Sequence, residues 1–142
     1  MRPSLDETMF GVATLMATRS TCLRKAVGCV VTDTDGFVLS TGYNGAPKGM
    51  PHCSKVGCLI DGDHCVRSLH AEVNAVITAG KNGVSLEGAT LYSTTRPCLR
   101  CTQILIQAGI RRVVFGQAYD SDDAQAAILL CSEAGIVVER LG

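Results

Sequence analysis

At 142 residues the chain has room for one domain with a real core and too little for two ordinary ones. An apolar content of 46% argues against an extended disordered chain. The 13 Lys and Arg balance 13 Asp and Glu, which excludes the broad positive field that long nucleic acids need but not a local cluster for a small anion.

Ser4 is placed to cap a first helix, in which Leu5, Met9, Val12, Ala13, Met16 and Ala17 recur at helical spacing. Asp6 and Glu7 break any continuous apolar core over residues 1–17, so this stretch does not read as a targeting signal. No run approaches the roughly 18 apolar residues of a membrane span, and a soluble cytoplasmic protein is the expectation. Residues 27–33 read as a buried strand, Thr34-Asp35-Gly36 as a turn, and residues 37–42 as a second strand.

Residues 43–68 read as a long loop, with Pro47, Pro51, His52, Cys53, Cys58, His64 and Cys65 among glycines. Long loops in compact domains are functional or tied down. A helix follows from about His70 to Gly80, then a strand at 89–94, and Pro97 opens a helix through about Ala108. A strand at 112–116, a helix near 122–134 and a strand at 136–140 complete the chain. An initial hairpin followed by alternating strands and helices predicts an α/β fold with a mixed sheet and helices on both faces.

Eight cysteines are many for this length, and without an export signal metal ligation is a stronger reading than disulfides. The chemistry concentrates in His70-Ala71-Glu72 and Pro97-Cys98-Leu99-Arg100-Cys101. Cys98 and Cys101 at a helix start present both sulfurs to one side, where the helix dipole favours thiolate. A helix of about eleven residues runs roughly 16 Å out, and a strand of about six returns roughly 20 Å. His70 is thereby carried back to the cysteine pair. Three ligands leave a fourth position open, the mark of a catalytic zinc, and Glu72 is the carboxylate placed to move protons there.

His-x-Glu followed by Pro-Cys-x-x-Cys resembles the signature of zinc nucleobase deaminases. With Cys22-Leu23-Arg24-Lys25-Ala26-Val27-Gly28, Gly42-Tyr43-Asn44-Gly45-Ala46-Pro47, His70-Ala71-Glu72-Val73-Asn74-Ala75 and Gly88-Ala89-Thr90-Leu91-Tyr92, the chain resembles the deoxycytidylate deaminases of the cytidine deaminase superfamily from about Thr21 to Gly135. The resemblance implies a three-layer α/β/α fold around a mixed five-stranded sheet, built as one domain over 1–142. It also implies deamination of dCMP to dUMP: zinc-activated water attacks C4, while Glu72 takes the water proton, delivers it to N3 and later protonates the leaving amine. Asn44 is similar to the family's sugar- and base-contacting asparagine, and Tyr119 stands where the family places an aromatic near the substrate. Arg24 and Lys25 are candidates for the phosphate by position. Arg96, where a small or apolar residue is expected, is a further candidate that leaves substrate choice open.

Cys22, Cys53, Cys58 and Cys65 form a candidate second, structural zinc site. The family resemblance implies an extra metal here, and His52 or His64 could replace a cysteine. Cys29 and Cys131 read as core, and Arg111 and Arg112 as solvated at a strand start. Resemblance further implies a homo-oligomer, a hexamer, activated by dCTP with Mg²⁺ and inhibited by dTTP. The glycine-rich stretch containing Gly42, Tyr43, Gly45 and Lys48 is the candidate effector loop. The alternatives are a deaminase of dCTP, a tRNA or single-stranded-DNA deaminase, and a zinc module without chemistry. The near-absence of aromatics opposes the nucleic-acid reading, and Glu72 opposes the last.

Overall fold

A computed structural model of the chain describes residues 1–62, 64–117 and 123–141. The first helix, α1 (Leu5–Ala17), starts at a reciprocal cap: the Ser4 hydroxyl accepts the Glu7 N–H at 3.1 Å, and the Glu7 carboxylate accepts the Ser4 N–H at 3.3 Å. Strands β1 (Gly28–Thr32) and β2 (Val38–Tyr43) form an antiparallel hairpin. Its turn is organised by Asp33, whose carboxylate accepts the N–H groups of Asp35 and Phe37.

The stretch expected to be loop carries structure of its own: a one-turn helix α2 (Cys53–Val56) and a two-stranded ribbon, β3 (Ile60–Asp61) and β4 (His64–Cys65). Then follow α3 (Ala71–Lys81), β5 (Thr90–Thr95), α4 (Leu99–Ala108), β6 (Arg112–Gln117), α5 (Ala124–Ala134) and β7 (Val137–Arg140), each within two residues of the predicted bounds.

The five long strands make one sheet in the order β2-β1-β5-β6-β7, antiparallel at β2-β1-β5 and parallel at β5-β6-β7. Period-two alternation sorts its side chains into two cores. Cys29, Val31, Leu91 and Val113 pack with Ala71, Ala75, Ala79 and Leu105, the side of α3 and α4. Val30, Tyr92 and Val114 pack with Met9, Val12 and Ala13, the side of α1. The three-layer α/β/α arrangement around a mixed five-stranded sheet is the one expected.

Arg112 departs from its expected solvated state. Its guanidinium donates two hydrogen bonds to Asp6, at 2.9 and 2.7 Å, and one to Glu139 at 2.7 Å. The Tyr92 hydroxyl also donates to Asp6, at 2.7 Å. Arg112 stands at the start of β6 beneath the first turn of α1, where partners from both α1 and β7 are in reach. No helix among the described residues is long and apolar enough to cross a membrane.

Candidate active site and metal centres

His70 is the residue that precedes α3, and Cys98 the residue that precedes α4. Both have extended backbone, with ψ 151° and 174°, and neither side chain caps its own helix, so each is free to turn away from the helix axis. Cys101 lies in the first turn of α4. The out-by-helix, back-by-strand geometry closes as anticipated: His70 Nδ1 is 3.5 Å from Cys98 Sγ and 3.3 Å from Cys101 Sγ.

The three donor atoms all lie within 4.8 Å of one another. Zinc–nitrogen and zinc–sulfur bonds of about 2.0 and 2.3 Å in a tetrahedron imply donor separations of about 3.5 Å. The donor set therefore suits zinc in both chemistry and spacing with little rearrangement.

Hydrogen bonds from the Cys101 thiol and His70, which outweigh burial, hold the Cys98 thiol down at about 4. Cys101 is pushed the other way by its bond to Cys98 and by burial. His70 is raised, chiefly by its hydrogen bond to Cys98. Glu72 is 5% exposed and stands outside the donor set. Burial raises its pKa against the opposing pull of its own backbone N–H and of His70, the direction that makes a carboxyl a better proton acceptor.

His70, Glu72 and Cys98 line a cleft of about 260 Å³, and Cys101 is buried behind them. Arg24, Lys25 and Arg96 line the same cleft, so the three phosphate candidates converge with the catalytic ones. Asn44 lines it too, but its amide is already engaged: Oδ1 accepts the Val27 N–H at 2.9 Å, and Nδ2 donates to the Lys25 carbonyl. It thus fixes the segment that carries Arg24 and Lys25. The Arg96 guanidinium stacks over the Phe115 ring at 5.1 Å from its centroid and also borders a small cavity between α4 and α5. Ser68 and Thr95 line the cleft without having been singled out, because a hydroxyl residue outside a motif carries no spacing signal. Tyr119 lies outside the described residues.

Three of the four loop cysteines assemble. The thiols of Cys53, Cys58 and Cys65 lie within 4.8 Å of one another, with Cys53 and Cys65 3.5 Å apart. Burial and the neighbouring Cys65 and Cys58 thiols push Cys53 up to about 12. Burial opposes ionisation of Cys65 but is outweighed by amide donors of Arg67 and Leu59, by Cys53 and by the Ser68 amide, bringing it down to about 6. Cys22 stands outside this group of three and, like Cys65, lines the cleft. It sits in the bend after α1, outside the short 53–65 segment that gathers the other three. The His52 ring is engaged elsewhere, its Nδ1 bonded to the Thr21 hydroxyl at 2.8 Å and accepting the Ala46 N–H at 3.2 Å. The His64 side chain lies outside the described set.

The four candidate effector residues differ in exposure. Gly42 and Gly45 are buried, Gly42 within β2 against α3 and Gly45 bridged to Leu69. Tyr43 is half-buried with Arg19 over its ring, and among the four residues singled out there only Lys48 is exposed. The Gly45 amide donates to the Leu69 carbonyl at 3.2 Å.

Comparison with known proteins agrees with this geometry. The family model described as the cytidine and deoxycytidylate deaminase zinc-binding region matches residues 3–117. A deoxycytidylate deaminase of Saccharomyces cerevisiae is 42% identical over 146 residues, covering 99% of this chain, which spans 46% of that relative's length. ComE operon protein 2 of Bacillus subtilis is 39% identical over 140 residues, covering 99% of the chain and 72% of that protein. The crystal structure of a dCMP deaminase from cyanophage S-TIM5 in complex with dCMP and dUMP superposes with a TM-score of 0.85 at 31% identity, covering 99% of each chain. With its zinc-type donors at two helix starts and a buried carboxyl beside them, the chain belongs to the cytidine and deoxycytidylate deaminase zinc-binding family.

Proposed function

We propose that the chain catalyses hydrolytic deamination of dCMP, dCMP + H₂O → dUMP + NH₃, and so supplies dUMP for dTMP synthesis. The observation that carries this reading is the cleft itself: a buried carboxyl outside a three-donor site, with three cationic side chains lining the same walls. His70, Cys98 and Cys101 would hold zinc, which when bound supplies a Lewis acid that lowers the pKa of water.

The remaining work belongs to the chain's own residues. Glu72 takes the proton of the attacking water and delivers it to N3 of the base, then takes the proton of the C4 hydroxyl and passes it to the amine, which leaves as the C4 carbonyl forms. Its burial keeps bulk water from competing for that proton. Arg24 and Lys25, held in place through Asn44, read the 5′-phosphate, and Arg96 adds positive charge in the same cleft. Asn44 has one lone pair and one N–H left for the sugar. The reading is tested by ammonia release from dCMP, dCTP, deoxycytidine and a cytosine-containing oligonucleotide. The expected result is release from dCMP far above the others, and no release from any of them overturns it.

Cys53, Cys58 and Cys65 would hold a second, structural zinc, supported by the proximity of three thiols and the low pKa of Cys65. The chain acts in the cytoplasm as a homo-oligomer, a hexamer, activated by dCTP with Mg²⁺ and inhibited by dTTP. Exposed Phe37 and Val38 at the sheet's β2 edge support association. The exposed Lys48 is the cation available to an effector phosphate. Rate against dCMP concentration with and without each triphosphate tests this: curves indifferent to both, from a chain that sediments as a monomer, overturn it.

A further inference from the structure

The turn that carries His70 and Glu72 is seated on the β1-β2 hairpin in an unusual way. Cys29 and Gly42 are cross-strand partners, and both face Ala71, the residue between the proposed ligand and the proposed proton carrier. Cys29 is fully buried and its thiol donates to the Ala71 carbonyl at 3.4 Å. Gly42 has no side chain to contribute, and that absence is what permits the seat. A Cβ built on it would overlap the Ala71 carbonyl oxygen and would lie 2.8 Å from the Ala75 nitrogen, closer than real Cβ atoms come.

One turn further along α3, the Ser40 hydroxyl donates to the Ala75 carbonyl at 2.7 Å, and the Asn74 amide donates to the Tyr43 carbonyl at 2.8 Å. Ala71, Ala75 and Ala79, all buried, let the helix come this close. Cys98 and Cys101 belong to a different helix, so the distance between the two halves of the site depends on where this seat holds α3.

We propose that Gly42 and Cys29 are positioning residues for the reaction: they set the height of the first turn of α3 above the sheet, and thereby the placement of His70 and Glu72 relative to Cys98 and Cys101. The inference rests on the deaminase reading. A methyl group at Gly42 cannot be absorbed by a rotamer, because what it meets is backbone, so α3 as a whole retreats. A displacement of about 1 Å at reacting groups costs on the order of 10²-fold in rate.

A matched control exists in the same sheet. A Cβ on Gly28 would overlap the Ala13 carbonyl oxygen and the Ala17 nitrogen of α1, the same kind of clash on the opposite face, against a helix that carries no cleft residue. The experiment compares Gly42→Ala with Gly28→Ala in kcat, KM, thermal stability and the rate at which a coloured chelator extracts the zinc ion that Cys98→Ser lacks. Both variants lose stability. Gly42→Ala is expected to lose ~10²-fold in kcat with KM changed by less than about threefold, and to release that ion at least ~10-fold faster, while Gly28→Ala keeps kcat and release within about threefold of the parent.

Parallel losses in the two variants, or a Gly42→Ala protein with parental kcat and zinc release, overturn the proposal. If Gly42→Ala does not fold, Cys29→Ala decides, since it removes one thiol and adds no bulk: kcat is expected to fall about fivefold at unchanged KM, and a change of less than about twofold overturns the proposal. A parent inactive on dCMP refutes the deaminase reading instead, and the chelator measurement, which needs no substrate, still decides the positioning.

Discussion

The chain gathers cysteines at two places, and the two differ in what holds them. His70, Cys98 and Cys101 stand at the starts of α3 and α4, each helix packed into the main core. Cys53, Cys58 and Cys65 stand in a segment whose regular structure is one helical turn and a ribbon of two-residue strands. In the first case the frame places the ligands, and a buried carboxyl outside the donor set gives the site chemistry to do. In the second there is little frame, so three thiols that could share an ion would hold the segment, and the amides of Leu59, Arg67 and Ser68 turn toward Cys65. Similar donors thus take different roles according to whether the scaffold or the cluster came first in the hierarchy of stability.

The comparison breaks most visibly on ligand removal. Cys98→Ser is expected to abolish deamination and to lower the zinc content from two ions per chain to one, as read by elemental analysis; full activity with one ligand gone would merge the two classes. Next in size is Glu72→Gln, which keeps both ions and the fold but loses activity at the large end of the ~10²–10⁴-fold range of general acid–base groups. A rate within tenfold of the parent would leave the first site with no more chemistry than the second. Arg24→Ala is expected to raise KM for dCMP by ~10- to 100-fold and KM for deoxycytidine little, since a charge-assisted bond contributes about 1.5–3 kcal/mol. Equal effects on both substrates would move the phosphate off that wall.

Cys53→Ser sharpens the other side. It should also remove one ion, yet its main readout is thermal stability, with kcat for dCMP held within a few-fold because the helix-borne site keeps its own frame. The smallest expected effect lies away from both sites. Arg112 holds Asp6 below the ordinary carboxylate range, chiefly through its hydrogen bonds. A depressed carboxylate stabilises the fold above its unfolded pKa of about 3.9 and loses that contribution as pH falls toward the folded value. Asp6→Asn should therefore cost about 1 kcal/mol at pH 7, a partly exposed pair being discounted for solvent, and nothing once Asp6 is protonated. A penalty independent of pH would assign the loss to packing.

Much of the first site was legible because its signals are local or metric: two short motifs at helix starts, and element lengths that bring those starts together. The ribbon at 60–65 was not, since its order comes from amides that point at a sulfur and from thiols that meet across the segment, and neither leaves a period in the sequence. Gly42 and Gly45 looked like free loop glycines because they flank Asn44, whereas burial beneath α3 and a bridge to Leu69 give them their use. Arg112 looked solvated because its partners Asp6 and Glu139 lie 106 and 27 residues away.

The strand order has a consequence for how the molecule comes to exist. The β1-β2 hairpin closes locally, and β5, β6 and β7 add to one another through short crossovers, while within the sheet the two halves join where β1 meets β5, Cys29 opposite Ser93. Closing so distant a pair is the slow kind of step, since the loop entropy is lost before the contacts form. His70 sits on a helix seated against the first half, and the Cys98–Cys101 pair follows the strand that founds the second. The candidate metal centre therefore spans the seam between the two halves, and His70 and both cysteines would share an ion only once the halves have met in register.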